Sequence, residues 1–299
     1  MNNQTFKSGF ITIIGKPNVG KSTLMNALIG EKIAIVTNKP QTTRNKIRCI
    51  LTESDFQAVF IDTPGIHDPK TKLGNFMVGS SVSAFSEADV ILYLVEPTGK
   101  ISKIDIGIIE KLKNVGANVF LIINKIDKIE KGELLGIISK YEKLLEFKEI
   151  VPISAVKKSG LDELIETIKN YLPEGPKYFP EDMLTDQPER QIAAEIIREK
   201  ALMLLQEEIP HGIAVEIMSM KQRAGKDIVD IEATIYCEKD SHKGMVIGKG
   251  GEMLKSIGSR ARADMERLLG SKIFLELWVR VKKDWRDSDF LLKNFGYKN

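Results

Sequence analysis

A glycine-rich segment, GKPNVGKS at residues 15–22, narrows the possible folds of this chain more than any other part of it. The segment matches the pattern G-x-x-x-x-G-K-S/T and lies between the apolar run FITIIG and a stretch with helical periodicity. In that context the backbone amides of the loop and the N-terminus of the next helix surround an anion. The sequence therefore predicts a phosphate-binding loop, with a strand before it and a helix after it.

Two side chains of this loop have a predicted chemical role. Lys21 is expected to reach the β- and γ-phosphates of a nucleotide, and Ser22 to supply a hydroxyl to Mg²⁺. A glycine-rich turn without chemistry is the alternative, but the flanking strand and helix are what the phosphate motif requires. The residues expected to surround the nucleotide are Gly15, Lys16, Pro17, Asn18, Val19, Gly20, Lys21, Ser22 and Thr23.

Short apolar runs alternate with amphipathic segments over the first part of the chain. The runs are at 10–15, 57–62, 90–96, 118–124 and 149–154, and the helical patterns at 21–29, 71–85, 101–115, 131–146 and 160–171. Runs rich in Val and Ile are typical of buried parallel strands. The alternation predicts an α/β fold, the doubly wound, mostly parallel sheet of a P-loop NTPase. Residues 31–48 are polar and aperiodic, and are predicted to form a loop.

The pattern changes after residues 173–190, which hold four of the eleven prolines. This segment is predicted to be a linker between a domain at 1–172 and a domain at 191–299. The second domain shows a helix, two alternating strands, a short helix, a glycine loop, a long helix, a strand and a tail helix. This order predicts a smaller α+β domain without a βαβ repeat.

Two further segments at strand ends indicate which base is bound. In NKID, at residues 124–127, the Asp127 carboxylate can accept hydrogen bonds from guanine N1–H and the 2-amino group. Adenine N1 is an acceptor and would face the carboxylate without a hydrogen bond. Such a mismatch lowers the preference for the wrong base by a factor of about 10⁴. In SAVKKSG, at residues 154–160, the Ala155 amide is expected to contact guanine O6. The residues assigned to the base are Asn124, Lys125, Asp127, Ser154, Ala155 and Val156.

The tetrapeptide DTPG, at residues 62–65, is predicted to respond to the γ-phosphate. Asp62 is expected to hold Mg²⁺ and the Gly65 amide to contact the γ-phosphate, so its loss would release the following segment. A simple turn is the alternative. In PQTTR, at residues 40–44, either Thr42 or Thr43 can complete the metal shell, and Thr43 is favoured. The residues predicted to bind Mg²⁺ are Ser22, Thr43 and Asp62. The residues predicted to take part in catalysis are Asn18, Lys21, Thr43, Asp62 and Gly65. Further predicted nucleotide contacts are Thr63, Pro64 and Ile66.

A second glycine loop, VIGKGGEML, lacks the spacing of the first and lies between two helical patterns. Its G-x-x-G, within this order of elements, predicts a type II KH domain, in which such a loop clamps the backbone of about four single-stranded nucleotides. Six basic and two acidic residues between 239 and 262 favour phosphate binding. Ile247, Met253, Leu254 and Ile257 are candidates for an apolar base groove, although some must be core. The predicted RNA contacts are Lys243, Ile247, Gly248, Lys249, Gly250, Gly251, Lys255 and Arg260.

All these motifs together resemble the translation-factor-related GTPases and, with the KH domain, the bacterial Era family over nearly the whole chain. Ile66 stands where signalling GTPases carry a water-orienting glutamine, and Asn18 matches an asparagine that ligates K⁺ in related enzymes. The resemblance implies GTP or GDP with Mg²⁺ and slow hydrolysis. K⁺ stimulation is a hypothesis based on Asn18, and the alternative is that Asn18 only braces the loop. The resemblance also implies binding near the 3′ end of 16S rRNA, a role in 30S subunit assembly and a peripheral inner-membrane contact.

Composition gives no sign of a disulfide-rich, secreted or membrane-spanning protein. Three alternative functions remain. The net charge of +3 is too small to indicate a polyanion partner by itself, and two distant cysteines indicate no disulfide or metal framework. With no signal peptide or apolar run of about 18 residues, a cytoplasmic location is expected. The alternatives are an ATP-dependent small-molecule kinase, an RNA chaperone with little turnover, and a membrane-associated regulator of cell cycle or growth. For the last, Trp285 in RVKKDWR, at residues 280–286, is a candidate lipid contact.

Overall fold

The computed structural model of the chain describes residues 5–297. The chain divides into two compact units. The N-terminal unit comprises Met1–Ala34, Thr43–Lys70 and Met77–Asp186, and the C-terminal unit Ile35–Thr42, Thr71–Phe76 and Gln187–Asn299. The predicted outer domain ends, at residues 1 and 299, lie outside the described residues.

The N-terminal unit is built on a six-stranded sheet with the order β2-β3-β1-β4-β5-β6. The strands are β1 Lys7–Gly15, β2 Ile47–Thr52, β3 Phe56–Asp62, β4 Val90–Val95, β5 Asn118–Ile123 and β6 Glu149–Pro152. The helices are α1 Lys21–Ile29, α2 Lys72–Ser83, α3 Lys103–Leu112, α4 Lys131–Glu142 and α5 Leu161–Tyr171. All pairs are parallel except β2 with β3. Every residue of β3 and β4 is buried, as expected for strands covered on both faces. The predicted fold class is confirmed.

Strand β2 was not predicted, because its sequence, IRCILT, follows a polar aperiodic stretch and is not an unbroken apolar run. It pairs antiparallel with β3, and the loop predicted for residues 31–48 therefore ends inside a strand. Its outer edge is covered by the segment predicted as a linker. Thr185 bridges to Cys49, and the Ile50 amide donates to the Leu184 carbonyl at 2.9 Å. The linker is thus partly a structural element of this unit.

The C-terminal unit carries a three-stranded sheet with the order β7-β8-β9. Its elements are α6 Glu189–Leu204, β7 Ala214–Gln222, β8 Ile228–Cys237, α7 Asp240–Ile247, α8 Glu252–Leu269, β9 Lys272–Val281 and α9 Asp289–Asn294. β7 and β8 are antiparallel, whereas β8 and β9 are parallel. Ile197 of α6, Ile231 of β8 and Ile257 of α8 are fully buried in one core. This is the α+β order that the sequence predicts.

The chain after β9 folds back on this core. The Trp285 ring is fully buried, and its Nε1–H donates to the Gly212 carbonyl at 2.8 Å. Arg286 forms a salt bridge with Glu238 at 2.6 Å. The proposal that Trp285 contacts lipid is therefore corrected, since its ring is not on the surface.

Candidate functional site

The loop between β1 and α1 has the backbone geometry of an anion cradle. Gly15 and Gly20 have φ angles of +149° and +103°. A Cβ at Gly20 would lie 2.3 Å from Nδ2 of Asn124, so this position requires glycine. Nζ of Lys21 donates to the carbonyls of Gly15, at 3.2 Å, and Lys16, at 2.9 Å. The ammonium group thus lies within the loop. A bound phosphate would replace these carbonyls as its hydrogen-bond acceptor.

Three oxygens predicted to bind Mg²⁺ lie together beside this loop. Oγ of Ser22 is 2.6 Å from Oδ2 of Asp62 and 2.9 Å from Oγ1 of Thr43, and Thr43 Oγ1 is 3.3 Å from the same carboxylate oxygen. Asp62 is fully buried, and its Oδ1 has no hydrogen-bond partner among the described residues. Hard oxygen donors around an unsatisfied buried carboxylate suit a small divalent cation, so these residues fit Mg²⁺.

Burial controls the ionisation of the two charged groups here. Desolvation lowers the pKa of Lys21 to about 8, although the charge of Asp62 opposes this shift. Desolvation raises the pKa of Asp62, and Lys21 together with the hydroxyls of Ser22 and Thr43 opposes that shift. Each group is therefore the nearby counter-charge of the other.

Thr42 and Thr43 have different environments, which bears on the choice that the sequence left open. Oγ1 of Thr42 donates to the Lys39 carbonyl at 2.7 Å and lies 2.7 Å from Oγ1 of Thr37. It takes no part in the oxygen cluster. Of the two hydroxyls, that of Thr43 faces Ser22 and Asp62.

The segment after β3 packs directly against the phosphate loop. A Cβ at Gly65 would lie 2.7 Å from the Pro17 nitrogen, and the Ile66 amide donates to the Gly15 carbonyl at 3.1 Å. Thr63 Oγ1 donates to the Ile13 carbonyl at 2.8 Å. The side chain of Ile66 is buried in an apolar cluster of the N-terminal unit, so it presents no hydrogen-bonding group to a water molecule.

The two base-recognition segments are joined through Asn124. Its Nδ2 donates to the Val19 carbonyl at 2.9 Å, and its Oδ1 accepts from the amides of Lys125, at 2.8 Å, and Ala155, at 3.0 Å. The Ala155 amide is thus already engaged, so contact with guanine O6 requires it to be shared. Val156 is 72% exposed.

The carboxylate of Asp127 remains open to solvent at this end of the sheet. Its Oδ1 accepts from Oγ of Ser154 at 2.5 Å, and this hydrogen bond lowers its pKa. An ionised carboxylate only accepts hydrogen bonds, as guanine recognition requires. Nζ of Lys125 donates to the Asn18 carbonyl at 2.7 Å, which ties this segment to the phosphate loop.

Lys16 was predicted to contact the nucleotide, but its side chain is held elsewhere. Nζ forms a salt bridge with Asp105 at 2.7 Å, and Asp105 also accepts from the Tyr93 hydroxyl at 2.9 Å. Asp105 was not predicted because it lies on α3, about ninety residues away. Only backbone atoms of Lys16 can therefore serve the phosphate loop.

The second glycine loop joins α7 to α8 in the C-terminal unit. Gly248, Gly250 and Gly251 have φ angles of +74°, +60° and +84°. A Cβ at Gly248 would lie 2.7 Å from Cβ of Met253, whereas the space around Gly250 and Gly251 is open. The loop backbone and the N-terminus of α8 are therefore accessible to a ligand backbone.

A groove of about 390 Å³ begins at this loop and runs between α8 and β9. It is lined by Gly251, Leu254, Lys255, Gly258, Ser259, Arg262, Phe274, Leu275 and Leu277. The helical residues recur every three or four positions and form one face of α8. Its apolar floor with flanking cations suits bases and phosphates.

Some of the predicted RNA contacts lie in this groove and others lie outside it. Gly251, Lys255 and Leu254 line it, but Ile257 is fully buried in the core, and Arg260 is exposed outside the lining. The others, Lys243, Ile247, Gly248, Lys249 and Gly250, lie on α7 or in the loop. Arg262 also lines the groove; the sequence placed it only among the basic residues of 239–262, although it continues the helical spacing from Lys255. The residues of β9 gave no sequence signal, since only the folded sheet brings them to α8.

Comparisons with known proteins identify both domains. A family model described as a 50S ribosome-binding GTPase matches residues 10–125, and a KH domain model matches residues 208–286. The GTPase Era of Ruminiclostridium cellulolyticum is 57% identical over 98% of both chains. The GTPase Era of Alkaliphilus oremlandii is 58% identical over 98% of this chain and 99% of its own. The chain belongs to the Era family of GTPases. The predicted family and GTPase activity are confirmed.

Solved Era structures have the same fold. Two of them superpose with a TM-score of 0.95 at 44% identity, and cover 98% of this chain and 100% of the solved chains. One Era structure contains MgGDPNP and nucleotides 1506–1542 of 16S ribosomal RNA, and the other is an Aquifex aeolicus Era variant bound to GDP·AlF4⁻. Within residues 5–297 of this Era-family chain, no helix is long and apolar enough to cross a membrane.

Proposed function

We propose that this GTPase binds single-stranded RNA near the 3′ end of 16S rRNA and assists assembly of the 30S ribosomal subunit. The observation that carries the proposal is the presence, in one chain, of the metal-binding oxygen cluster and the G-x-x-G groove. The Era relative bound to nucleotides 1506–1542 supports the choice of RNA. In these terms the GTPase domain extends to residue 172 and the KH domain begins at residue 191.

The contacts of each side chain support its proposed nucleotide-binding role. Ser22, Thr43 and Asp62 would hold Mg²⁺, Lys21 would bind the β- and γ-phosphates, and Asp127 would bind the guanine edge. When bound, Mg²⁺ neutralises charge on the β- and γ-phosphates. Asn124 braces the phosphate loop against the base-recognition segments through its contacts with Val19 and Ala155. The Gly65 amide is the donor proposed for the γ-phosphate.

Hydrolysis is expected to be slow without a partner. Phosphoryl transfer depends almost wholly on positioning and charge stabilisation, and the buried Ile66 side chain supplies neither. The Gly65 amide and the loop backbone remain to orient the reacting groups. A K⁺ ion held near Asn18 would add positive charge beside the phosphates, and K⁺ stimulation is part of this proposal.

The groove of the KH domain would take bases on its apolar floor and phosphates at its rim. Leu254, Leu275 and Leu277 offer apolar contact, while Lys255 and Arg262 flank them with positive charge. The open backbone of Gly250 and Gly251 allows a phosphate to approach the N-terminus of α8. This arrangement suits the roughly four nucleotides that KH domains hold.

Nucleotide state and RNA binding are proposed to be linked. Thr43 would bind the metal only with GTP in place, so the preceding residues 35–42, which belong to the C-terminal unit, would respond to the γ-phosphate. Linkage is reciprocal, so RNA would favour the nucleotide that favours RNA.

A cytoplasmic location remains a prediction, and so does a peripheral contact with the inner membrane. The membrane contact has lost its aromatic candidate, because Trp285 is buried. Exposed basic residues near the end of β9 are its remaining basis.

A pair of charge reversals tests the RNA site. Lys249→Asp changes the charge within the glycine loop, and Arg260→Asp makes the same change on α8 outside the groove. RNA of nucleotides 1506–1542 is titrated with each variant, and binding is followed by fluorescence anisotropy at fixed salt. Lys249→Asp is expected to weaken binding at least about tenfold and Arg260→Asp less than about threefold. Equal losses would contradict a specific role of the glycine loop in RNA binding.

A further inference from the structure

Two adjacent residues of α6 hold both ends of residues 35–42. Oε1 of Glu199 accepts a hydrogen bond from the Val36 amide at 2.9 Å. The guanidinium of Arg198 donates to the carbonyl of Thr42. Both side chains are almost fully buried, with 0% and 1% exposure. The segment that leads directly into Thr43 is thus fastened by charged groups that solvent does not reach.

Burying a charged side chain is costly unless an opposite charge pairs with it. Glu199 has such a partner in Lys200. The second oxygen of Glu199 accepts from Nζ of Lys200 at 2.7 Å. Nζ of Lys200 also donates to Oδ2 of Asp264 at 2.5 Å. Lys200 is itself 7% exposed. A continuous series of polar contacts therefore runs from Val36 through Glu199 and Lys200 to Asp264.

Asp264 lies on α8, the helix that lines the RNA groove. It follows the groove residue Arg262 by two positions, and it also pairs with Arg267 at 3.2 Å. The ammonium group of Lys200 thus joins α8 to Glu199, and the other carboxylate oxygen of Glu199 holds the Val36 amide. A change in how Glu199 is held would alter the contact that Lys200 makes with α8.

We propose that Glu199 and Lys200 are positioning residues that carry the effect of the nucleotide from residues 35–42 to the RNA groove. This inference rests on the proposed linkage between nucleotide and RNA. With GTP, binding of the metal by Thr43 keeps the chain at Thr42 and Val36 in contact with α6. With GDP, this chain is released, Glu199 loses the Val36 amide, and the balance of Lys200 between Glu199 and Asp264 shifts.

Three variants separate this role from general stability. Lys200→Met keeps the length of the side chain and removes the shared charge. Asp264→Asn keeps the shape at α8 and weakens the far end of the series. Arg267→Gln is the matched control, because it also removes an ion pair with Asp264, but from a side chain that is 72% exposed.

The readout is the ratio of two RNA dissociation constants, one with Mg²⁺·GDP and one with a non-hydrolysable GTP analogue. The probe is RNA of nucleotides 1506–1542. For the native chain the ratio is expected to lie between about 5 and 150, the usual range of coupling between sites. Lys200→Met and Asp264→Asn are expected to bring it to less than about 3, and Arg267→Gln to leave it within about twofold of native. A merely structural role would weaken both affinities by one factor and leave the ratio unchanged.

Each outcome decides something. If both variants keep the native ratio, the inference is overturned and the proposed function stands. A native ratio of one would instead refute the linkage and, with it, this inference. If Lys200→Met fails to fold, Asp264→Asn carries the test, because thermal unfolding identifies folded protein before any titration.

Discussion

Replacing Thr43 with alanine removes one of the three oxygens assigned to Mg²⁺. The Thr43 hydroxyl lies 2.9 Å from Ser22 Oγ and 3.3 Å from Asp62 Oδ2. It is therefore already placed to face a metal ion bound by Ser22 and Asp62. Thr42→Ala is the matched control, since it deletes the same atoms one residue earlier. Its hydroxyl contacts Thr37 and Lys39 instead.

The expected effects differ in kind. Changing a group that merely orients a metal ligand already costs 10- to 100-fold in affinity or activity, so losing a ligand is expected to cost at least about tenfold in Mg²⁺ affinity. That factor corresponds to about 1.4 kcal/mol or more. Thr42→Ala loses hydrogen bonds of about 0.5–1.5 kcal/mol each from the folded state, but no metal contact.

The assay is GTP hydrolysis as a function of Mg²⁺ concentration, followed by phosphate release. Thr43→Ala is expected to raise the half-saturating Mg²⁺ concentration at least about tenfold, and Thr42→Ala less than about threefold. If Thr42→Ala has the larger effect, or if both have the same, the assignment of Thr43 is refuted.

Three further predictions concern the base, the RNA and the monovalent ion. Asp127→Asn, which replaces one acceptor oxygen with a donor, is expected to reduce preference for GTP over ATP by about 100-fold or more in competition binding; an unchanged preference would contradict the role of Asp127. Lys255→Ala and Arg262→Ala are each expected to reduce the slope of log affinity for RNA against log salt by about 1, whereas a change in affinity at constant slope would exclude phosphate contacts. Hydrolysis is expected to be faster in K⁺ than in Na⁺, and Asn18→Ala to abolish the difference, so equal native rates in the two salts would remove the K⁺ site.

The sequence predicted the parts of the molecule in which local pattern and chemistry coincide. The phosphate loop of residues 15–22 connects β1 to α1 as predicted, and its Gly15 and Gly20 have positive φ angles that other residues rarely adopt. Strand β4 is a continuous apolar run, and β5 is apolar after its first residue, Asn118, so both are recognised from the local pattern. The order of elements in the KH domain follows for the same reason.

The rest depends on contacts between residues distant in the chain. The residues of β9 in the groove, such as Leu275 and Leu277, look like any half-buried strand until α8 lies beside them. The salt bridge between Lys16 and Asp105 joins residues 89 positions apart, and no local sequence pattern predicts it. The same holds for Glu199, whose carboxylate reads as one of many helical charges and yet is fully buried.

The central claim is that the guanine nucleotide and the RNA are linked through this chain, and a closed thermodynamic cycle tests it most directly. The affinity of a GTP analogue is measured with and without RNA of nucleotides 1506–1542, and the affinity of that RNA with and without the analogue. The account predicts that each ligand strengthens the other by the same factor, at least about fivefold. Factors of one on both sides of the cycle would contradict it.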